Sequence, residues 1–194
     1  MARRAYPRPQ SHHERTAVEI LQRHARATHW PVSLPVPIEM IVERTYNLEV
    51  HYDAIAEPTE MTMLGALSPS QRRITFNTAH ADLFDEVIGP ERFTLAHELA
   101  HWVYDAEDPG QQTLALGHTQ EPEFCYHRGS SGISDVVRLR EVNANKLAAA
   151  LLLPAELVRA EDVSSILAAP AEFAARCGVS RRTLEIRLET LGLA

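Results

Sequence analysis

Two histidines four residues apart, with a glutamate directly after the first, form the segment of this sequence best suited to chemistry. They are His97, Glu98 and His101, within the stretch FTLAHELAHWVYD. Residues four apart lie one turn above each other on one face of an α-helix, so both imidazoles can point at one metal ion. Glu98 lies about a quarter turn away and can take a proton from a water at that metal. The pattern predicts a metal site that hydrolyses peptide bonds, with zinc as the ion and manganese as the alternative.

The alternative interpretation is an ordinary amphipathic helix that carries two structural histidines. Histidine is abundant here, with ten residues, so the pentapeptide by itself is only a moderate signal. Its context is more informative, because the stretch alternates these polar residues with apolar ones and contains none of the lysine or arginine expected on a merely solvated face. The context favours the metal site. The packing residues of this helix are expected to be Phe93, Leu95, Ala96, Leu99, Ala100 and Val103.

A catalytic zinc site needs a third protein ligand. One type of metalloprotease continues its histidine motif with a glycine and a third histidine, but Tyr104 and Glu107 occupy those two places here. The better candidate is Glu141, in LREVNANKLAAALLLP, on a second predicted helix. Ala144 and Ala148 lie on the same side of that helix and would let it approach the histidine helix closely. Alone, Glu141 would be interpreted as an exposed carboxylate; together with the histidines it is predicted to be the third ligand.

Four further residues are candidates for supporting roles. A tetrahedral intermediate needs a hydrogen-bond donor, and Tyr104, Tyr126 and His127 are candidates for it. Asn145, one turn after Glu141, is a candidate to orient a metal ligand. For each of the three donors the alternative is a residue with no catalytic role, and Asn145 is equally well interpreted as a helix-surface amide.

The elements that must position these residues can be predicted from periodicity. Helical spacing predicts helices over about 13–28, after Pro37 in IEMIVERTY, over about 91–104 and over about 134–153, with short helices to the end. The segments LEVHYDA, MTMLGAL and RRITFN favour strands, with SPSQ as a turn between the last two. They predict a small three-stranded antiparallel sheet. Residues 106–132, rich in Gly, Pro, Ser, Gln and His, are predicted to form a long irregular loop.

The whole chain is therefore predicted to have an α+β fold in three parts. Residues 1–12 are expected to be a flexible tail, 13–160 a metallopeptidase domain and 161–194 a helical extension. With 194 residues, the chain is long enough for one domain with a substantial core. Its net charge of −7 opposes nucleic-acid binding over the whole surface and is compatible with a basic protein as partner.

Cellular location is predicted from cysteine use and apolar runs. Cys125 and Cys177 are too few for a disulfide framework and predict free thiols in a reducing compartment. The N-terminus has no apolar stretch typical of a secretory signal, and the longest apolar run, at 147–155, is half the length of a membrane span. We expect a cytoplasmic protein that does not bind membranes.

Two segments together resemble one known family. RFTLAHELAHWVYD followed by EVNANKLAAALLLPAELV is similar to the ImmA/IrrE metallopeptidases, whose pattern is close to RFTLAHELGH, then ExxAN, then FAAxLLMP. LPVPIEMIVE, the glycine of LGAL and RRITFN extend the similarity upstream, so that it covers roughly 16–192. The resemblance implies a gluzincin-like fold with a small three-stranded sheet. It also implies His97, His101 and Glu141 as zinc ligands and Glu98 as the general base.

The resemblance also implies a protein substrate. Members of the family act on a helix-turn-helix transcriptional repressor and relieve repression, by cleavage or otherwise, after DNA damage or during mobile-element induction. We expect a repressor or antitoxin as the partner here. Stress-response members carry an additional C-terminal sensor domain, so a chain ending at Ala194 is expected to be of the compact, mobile-element type. A non-proteolytic antirepressor with a structural metal is the alternative, and the intact Glu98 favours the enzyme.

The C-terminal stretch FAARCGVSRRTLEIRLETLGL resembles the second half of a helix-turn-helix. Gly178 would form its turn and Ser180 would cap its second helix. A DNA-binding regulator is therefore a third alternative, but the four arginines from Pro170 onward accompany three glutamates and do not make a basic patch. The arginines expected to line the helix are Arg181, Arg182 and Arg187.

Overall fold

Helices and strands alternate through the first half of the chain, and helices alone form its C-terminal part. The computed structural model describes residues 7–57, 62–86, 89–106, 124–128 and 135–194. The strands are β1 (Glu49–Asp53), β2 (Thr62–Ser68), β3 (Arg73–Asn77) and β4 (Phe124–Arg128). The first helices are α1 (Gln10–Thr28), α2 (Ile38–Met40, continued by a π-helical turn, Ile41–Thr45), α3 (Ala81–Glu86) and α4 (Pro90–His101, continued by a π-helical turn, Trp102–Ala106). The later helices are α5 (Asp135–Leu152), α6 (Ala155–Ala160), α7 (Val163–Ala168), α8 (Pro170–Cys177) and α9 (Arg181–Leu191).

The sheet corrects the prediction of three antiparallel strands. It has four strands in the order β1-β3-β2-β4, with β2 antiparallel to β3 and β4, and β1 parallel to β3. The chain does reverse direction from β1 to β2, but β3 lies between them. Period-two alternation identifies strands but does not specify their order in the sheet. The parallel pairing of β1 with β3 could therefore not be predicted from it. β4 falls inside 106–132, which was predicted to be loop because turn-forming residues surround it; the rest of that segment lies outside the described residues, apart from Ala106.

α4 and α5 pack side by side in the centre of the molecule. The alanines of their facing sides, Ala96 and Ala100 on α4 and Ala144 and Ala148 on α5, are completely buried. Small side chains let two helix backbones approach, so a residue on one helix can reach a residue on the other. The predicted close approach of these two helices is confirmed by this burial.

The strand β2 lies against α4, and Gly65 is the point of contact. A Cβ atom at Gly65 would lie 2.6 Å from Cγ2 of Thr94 and 3.7 Å from Cγ of Glu98. A real Cβ atom could not lie so close to Thr94 unless β2 or α4 shifted. The glycine therefore allows the sheet to pass directly beside the turn of α4 that carries Glu98.

The C-terminal helices share the main core. Leu184 and Leu188 of α9 and Phe173 of α8 belong to the same buried cluster as Leu151 of α5. Arg187 was expected to line the last helix with Arg181 and Arg182, but only 1 % of its surface is accessible, so it forms no exposed face with them. It follows the buried Leu184 by three residues, on the same side of the helix, so it points inward.

The most apolar run of the sequence ends α5. Leu147, Leu151, Leu152 and Leu153 have no accessible surface, so this run is core and fills the space under α4 and α1. Among the helices that the structure describes, none combines the length and the apolar character needed to cross a membrane.

Candidate metal centre

α4 holds His97 and His101 one turn apart on its buried face. The helix begins with Pro90 in its first turn, directly after Gly89, whose φ of 106° is left-handed. The two imidazole rings meet edge to face, with centroids 4.7 Å apart. Their exposed fractions are 0 % and 1 %, so both side chains lie on the buried face of the helix.

Glu141 of α5 completes a group of three donor residues. His97 Nε2 lies 3.0 Å from His101 Nε2 and 3.1 Å from Glu141 Oε2, and His101 Nε2 lies 3.2 Å from Glu141 Oε1. Among the residues described, these three could offer a metal ion one ligand atom each, and those atoms all lie within 4.8 Å of one another. The structure thus brings together the three residues that the sequence predicts as ligands.

The donor geometry fits a zinc ion. Tetrahedral zinc with bonds of about 2.0–2.2 Å separates its ligand atoms by roughly 3.3 Å, close to the three separations seen here. Two imidazoles and one carboxylate leave one position open, as in catalytic sites. Burial raises the pKa of Glu141, but the hydrogen bonds to His101 and His97 outweigh it and hold the pKa at about 2. Burial lowers the pKa of His97. Both residues therefore favour the deprotonated forms that bind metal.

Asn145 orients one of the two histidines. Its Oδ1 lies 3.0 Å from Nδ1 of His97, one helical turn from Glu141. If Nε2 of His97 binds a metal ion it must be unprotonated, and Nδ1 then carries the proton and donates a hydrogen bond to the amide oxygen. This contact selects the tautomer and holds the ring plane, which is what outer residues do for histidine ligands. The structure therefore brings the sequence candidate Asn145 to the cluster.

Glu98 is buried beside the cluster of donor residues. Its side chain has no accessible surface, and neither carboxyl oxygen has a hydrogen-bond partner among the residues described. Burial raises the pKa of Glu98 to about 8, while His101 acts to lower it and Glu141 to raise it further. A buried carboxyl group without a partner is costly and rare. Water or a substrate could supply the hydrogen bond that the described residues do not provide.

The three proposed hydrogen-bond donors have different placements. The hydroxyl of Tyr104 is hydrogen-bonded to Nδ1 of His13 at 2.7 Å, so it is engaged with α1. The guanidinium of Arg8 lies 4.2 Å from the centroid of the same tyrosine ring. Tyr126 and His127 belong to β4, the strand beside β2, where His127 is paired with Met63. Their side chains lie outside the part of the chain that the structure describes in detail.

His13 is a buried polar residue that the sequence analysis did not single out. It has no accessible surface, and burial lowers its pKa to about 4, which keeps the ring neutral. The available signal was its spacing, since His13 precedes Ala17 and Ile20 on the apolar face of α1. Nothing in the spacing pointed to Tyr104, which is 91 residues away.

Comparison with known families matches just over half of the chain. Residues 89–189 match the model of a peptidase family described as the IrrE N-terminal-like domain. The matched segment contains α4, α5 and the C-terminal helices, and hence all three donor residues and Glu98. No match was found among curated proteins. The motifs, the metal-binding geometry and this match agree, and the chain belongs to the IrrE N-terminal-like domain family.

Proposed function

We propose that the protein is a zinc-dependent endopeptidase that cleaves a helix-turn-helix repressor or antitoxin and so relieves repression. The observation that carries the proposal is the fully buried carboxyl group of Glu98, which has no hydrogen-bond partner among the described residues and lies beside three residues that could hold a metal ion. A purely structural metal site would not need such a group. A general base does need it, because the base must be ready to accept a proton from a water molecule.

In the proposed mechanism, His97, His101 and Glu141 would hold the ion, and Asn145 orients His97. When bound, zinc supplies a Lewis acid that polarises the scissile carbonyl and makes water acidic enough to react near neutral pH. Glu98 accepts one proton from the attacking water as its oxygen bonds to the carbonyl carbon. Glu98 then gives this proton to the amine as the C–N bond breaks, which returns the carboxylate to its starting state.

The proposed substrate class rests on family membership and on charge. The family resemblance supports a repressor as the target, and a chain of net charge −7 attracts a basic, DNA-binding protein. A repressor encoded beside this protein is therefore the first substrate to test.

Two alternatives are less well supported. A non-proteolytic antirepressor would use the same surface but leave the buried carboxyl group of Glu98 without a role. A DNA-binding regulator would need a basic face on α9, but Arg187 is buried against Glu14, and Glu185 lies beside both Arg181 and Arg182. These contacts oppose DNA binding by this helix.

The test uses the Glu98→Gln variant, with zinc or manganese and the neighbouring repressor. We expect this variant to retain its metal and to lose cleavage by about 10²- to 10⁴-fold, because the amide cannot accept the proton. Glu91→Gln, on the same helix but bonded to the Tyr52 hydroxyl, is the matched control and should cleave normally. Fragments are counted by gel and mass spectrometry. Cleavage at the native rate by Glu98→Gln would refute the base assignment. Displacement of an uncut repressor from DNA by the wild type would support the antirepressor.

A further inference from the structure

A cavity of about 550 Å³ opens between α4, α5, β2 and α9. Phe93 and Thr94 of α4 line it on one side, and Asn145 and Lys146 of α5 line another. α9 provides the third side, with residues that include Ile186. Ligand pockets in proteins occupy about 300–1,000 Å³, so the cavity is large enough for one large side chain and its neighbour in a peptide.

The cavity adjoins the candidate metal centre through two residues. Asn145 lines the cavity and also bonds to the ring of His97. Thr94 lines it one turn before Glu98, on the side of α4 that meets Gly65. A peptide whose scissile bond lies at Glu98 can therefore extend directly into this space.

Contacts at the start of α9 and at Arg187 hold this helix in place as a wall of the cavity. A Cβ atom at Gly89, before α4, would lie 2.5 Å from the backbone nitrogen of Ser180, which caps α9. Arg187 donates to the carbonyl oxygen of Leu153 at 2.8 Å and to Glu14 at 2.8 Å. The wall is therefore built into the fold and is not a loosely attached tail.

The lining combines an apolar surface with positive charge. Leu64, Phe93 and Ile186 supply the apolar part, and Lys146 and Arg182 supply cations. Among the described residues that line the cavity, none is an aspartate or a glutamate. A carboxylate-free, cationic lining in a chain of net charge −7 is complementary to an apolar group next to an acidic one.

We propose that this cavity is the substrate subsite beside the scissile bond, that it selects a large apolar side chain next to an acidic residue, and that α9 is the element that determines this specificity. The inference rests on the proposed peptidase function and deepens it. It gives the helix-turn-helix-like C-terminus a role in recognising a peptide.

The test separates peptide binding from cleavage. A library of random-sequence peptides is selected on immobilised, zinc-loaded Glu98→Gln protein, and the affinity of the enriched peptides is measured by fluorescence anisotropy. We expect enrichment of a large apolar residue next to Asp or Glu. Arg182→Glu should lower the affinity for those peptides about five- to tenfold, because an exposed ion pair between Arg182 and the acidic residue of the peptide becomes a repulsion.

Arg181→Glu is the matched control for Arg182→Glu. Both arginines begin α9, with side chains 65 % and 72 % exposed, and both pair with Glu185, but Arg182 lines the cavity and Arg181 is not among its lining residues. Arg181→Glu should change the affinity less than twofold. An equal loss of peptide affinity in both variants, or enrichment of peptides without an acidic residue, would overturn the proposed subsite. Peptides that bind in the expected pattern but stay uncut by zinc-loaded wild type would instead refute the peptidase activity and leave the cavity a peptide-binding site.

Discussion

At the scale of single residues, the two glutamates of the site have different surroundings and opposite pKa shifts. Glu141 is hydrogen-bonded by two imidazoles, and its pKa falls to about 2, whereas burial raises the pKa of Glu98 to about 8. Opposite shifts of two nearby carboxyl groups commonly mark a division of roles. Here the charged carboxylate of Glu141 suits a metal ligand, and the more basic carboxyl group of Glu98 suits proton transfer. A bound cation would lower the pKa of Glu98 toward neutrality.

Asn145 gives the first prediction at this scale. Replacing it by alanine removes the acceptor for Nδ1 of His97, and we expect zinc affinity to fall by about 10- to 100-fold. Asn145→Asp keeps an acceptor oxygen in place and should retain affinity near that of the wild type. Titration against a competing chelator measures both. Unchanged affinity in Asn145→Ala would show that His97 is oriented without it.

At the scale of elements, the site depends on how closely two neighbours approach α4. The buried alanines bring α5 near enough for Glu141 to reach the histidines. Gly65 brings β2 against the opposite part of the helix, beside Thr94 and Glu98. This second contact adds to the burial of Glu98, and burial raises the pKa of its carboxyl group.

Gly65→Ala tests the approach of β2. The new methyl group would meet Cγ2 of Thr94 at 2.6 Å, and we expect the free energy of unfolding to fall by about 1–3 kcal/mol. Thr94→Ser removes that methyl, so the double variant should recover most of the loss caused by Gly65→Ala. Urea denaturation of the wild type, both single variants and the double variant gives the coupling. Strictly additive losses would mean that another contact limits the approach.

At the scale of the whole molecule, a buried arginine joins the two ends of the chain. Arg187 of α9 bonds to Glu14 of α1 and to the carbonyl oxygen that follows α5. Burial raises the pKa of Glu14, but Arg187 and Gln10 outweigh this effect and lower it overall. The C-terminal helices are therefore part of the fold that supports the metal centre and the cavity.

Breaking this junction should destabilise the entire protein. Arg187→Met leaves Glu14 without its cation and Leu153 without its donor, and we expect a loss of about 2–4 kcal/mol, because Glu14 remains partly exposed. Arg181→Met, at an exposed position of α9, is the control and should change stability by less than about 0.5 kcal/mol. Urea denaturation provides the comparison. Equal stability of the two variants would contradict the structural role of Arg187.

How much the sequence could predict depended on whether the information was local. The histidine spacing, the alanine face of α5 and the placement of Glu141 on it follow from helical periodicity alone. The neighbour of β1, the strand β4 and the partner of Tyr104 depend on residues far apart in sequence, which periodicity does not relate. Arg187 was grouped with Arg181 and Arg182 as lining the last helix, although its position three residues after Leu184 already placed it on the buried face.

The central claim, a metal centre built from α4 and α5, is tested most directly by metal analysis of the Glu141→Ala variant beside the wild type. Asp135→Ala, an exposed carboxylate on the same helix, is the control. Both proteins and the wild type are loaded with zinc, desalted and measured by mass spectrometry of the metal. We predict about one zinc ion per chain in the wild type and in Asp135→Ala, and a small fraction of that in Glu141→Ala, which keeps only two of the three ligands. Undiminished zinc in Glu141→Ala would contradict the account.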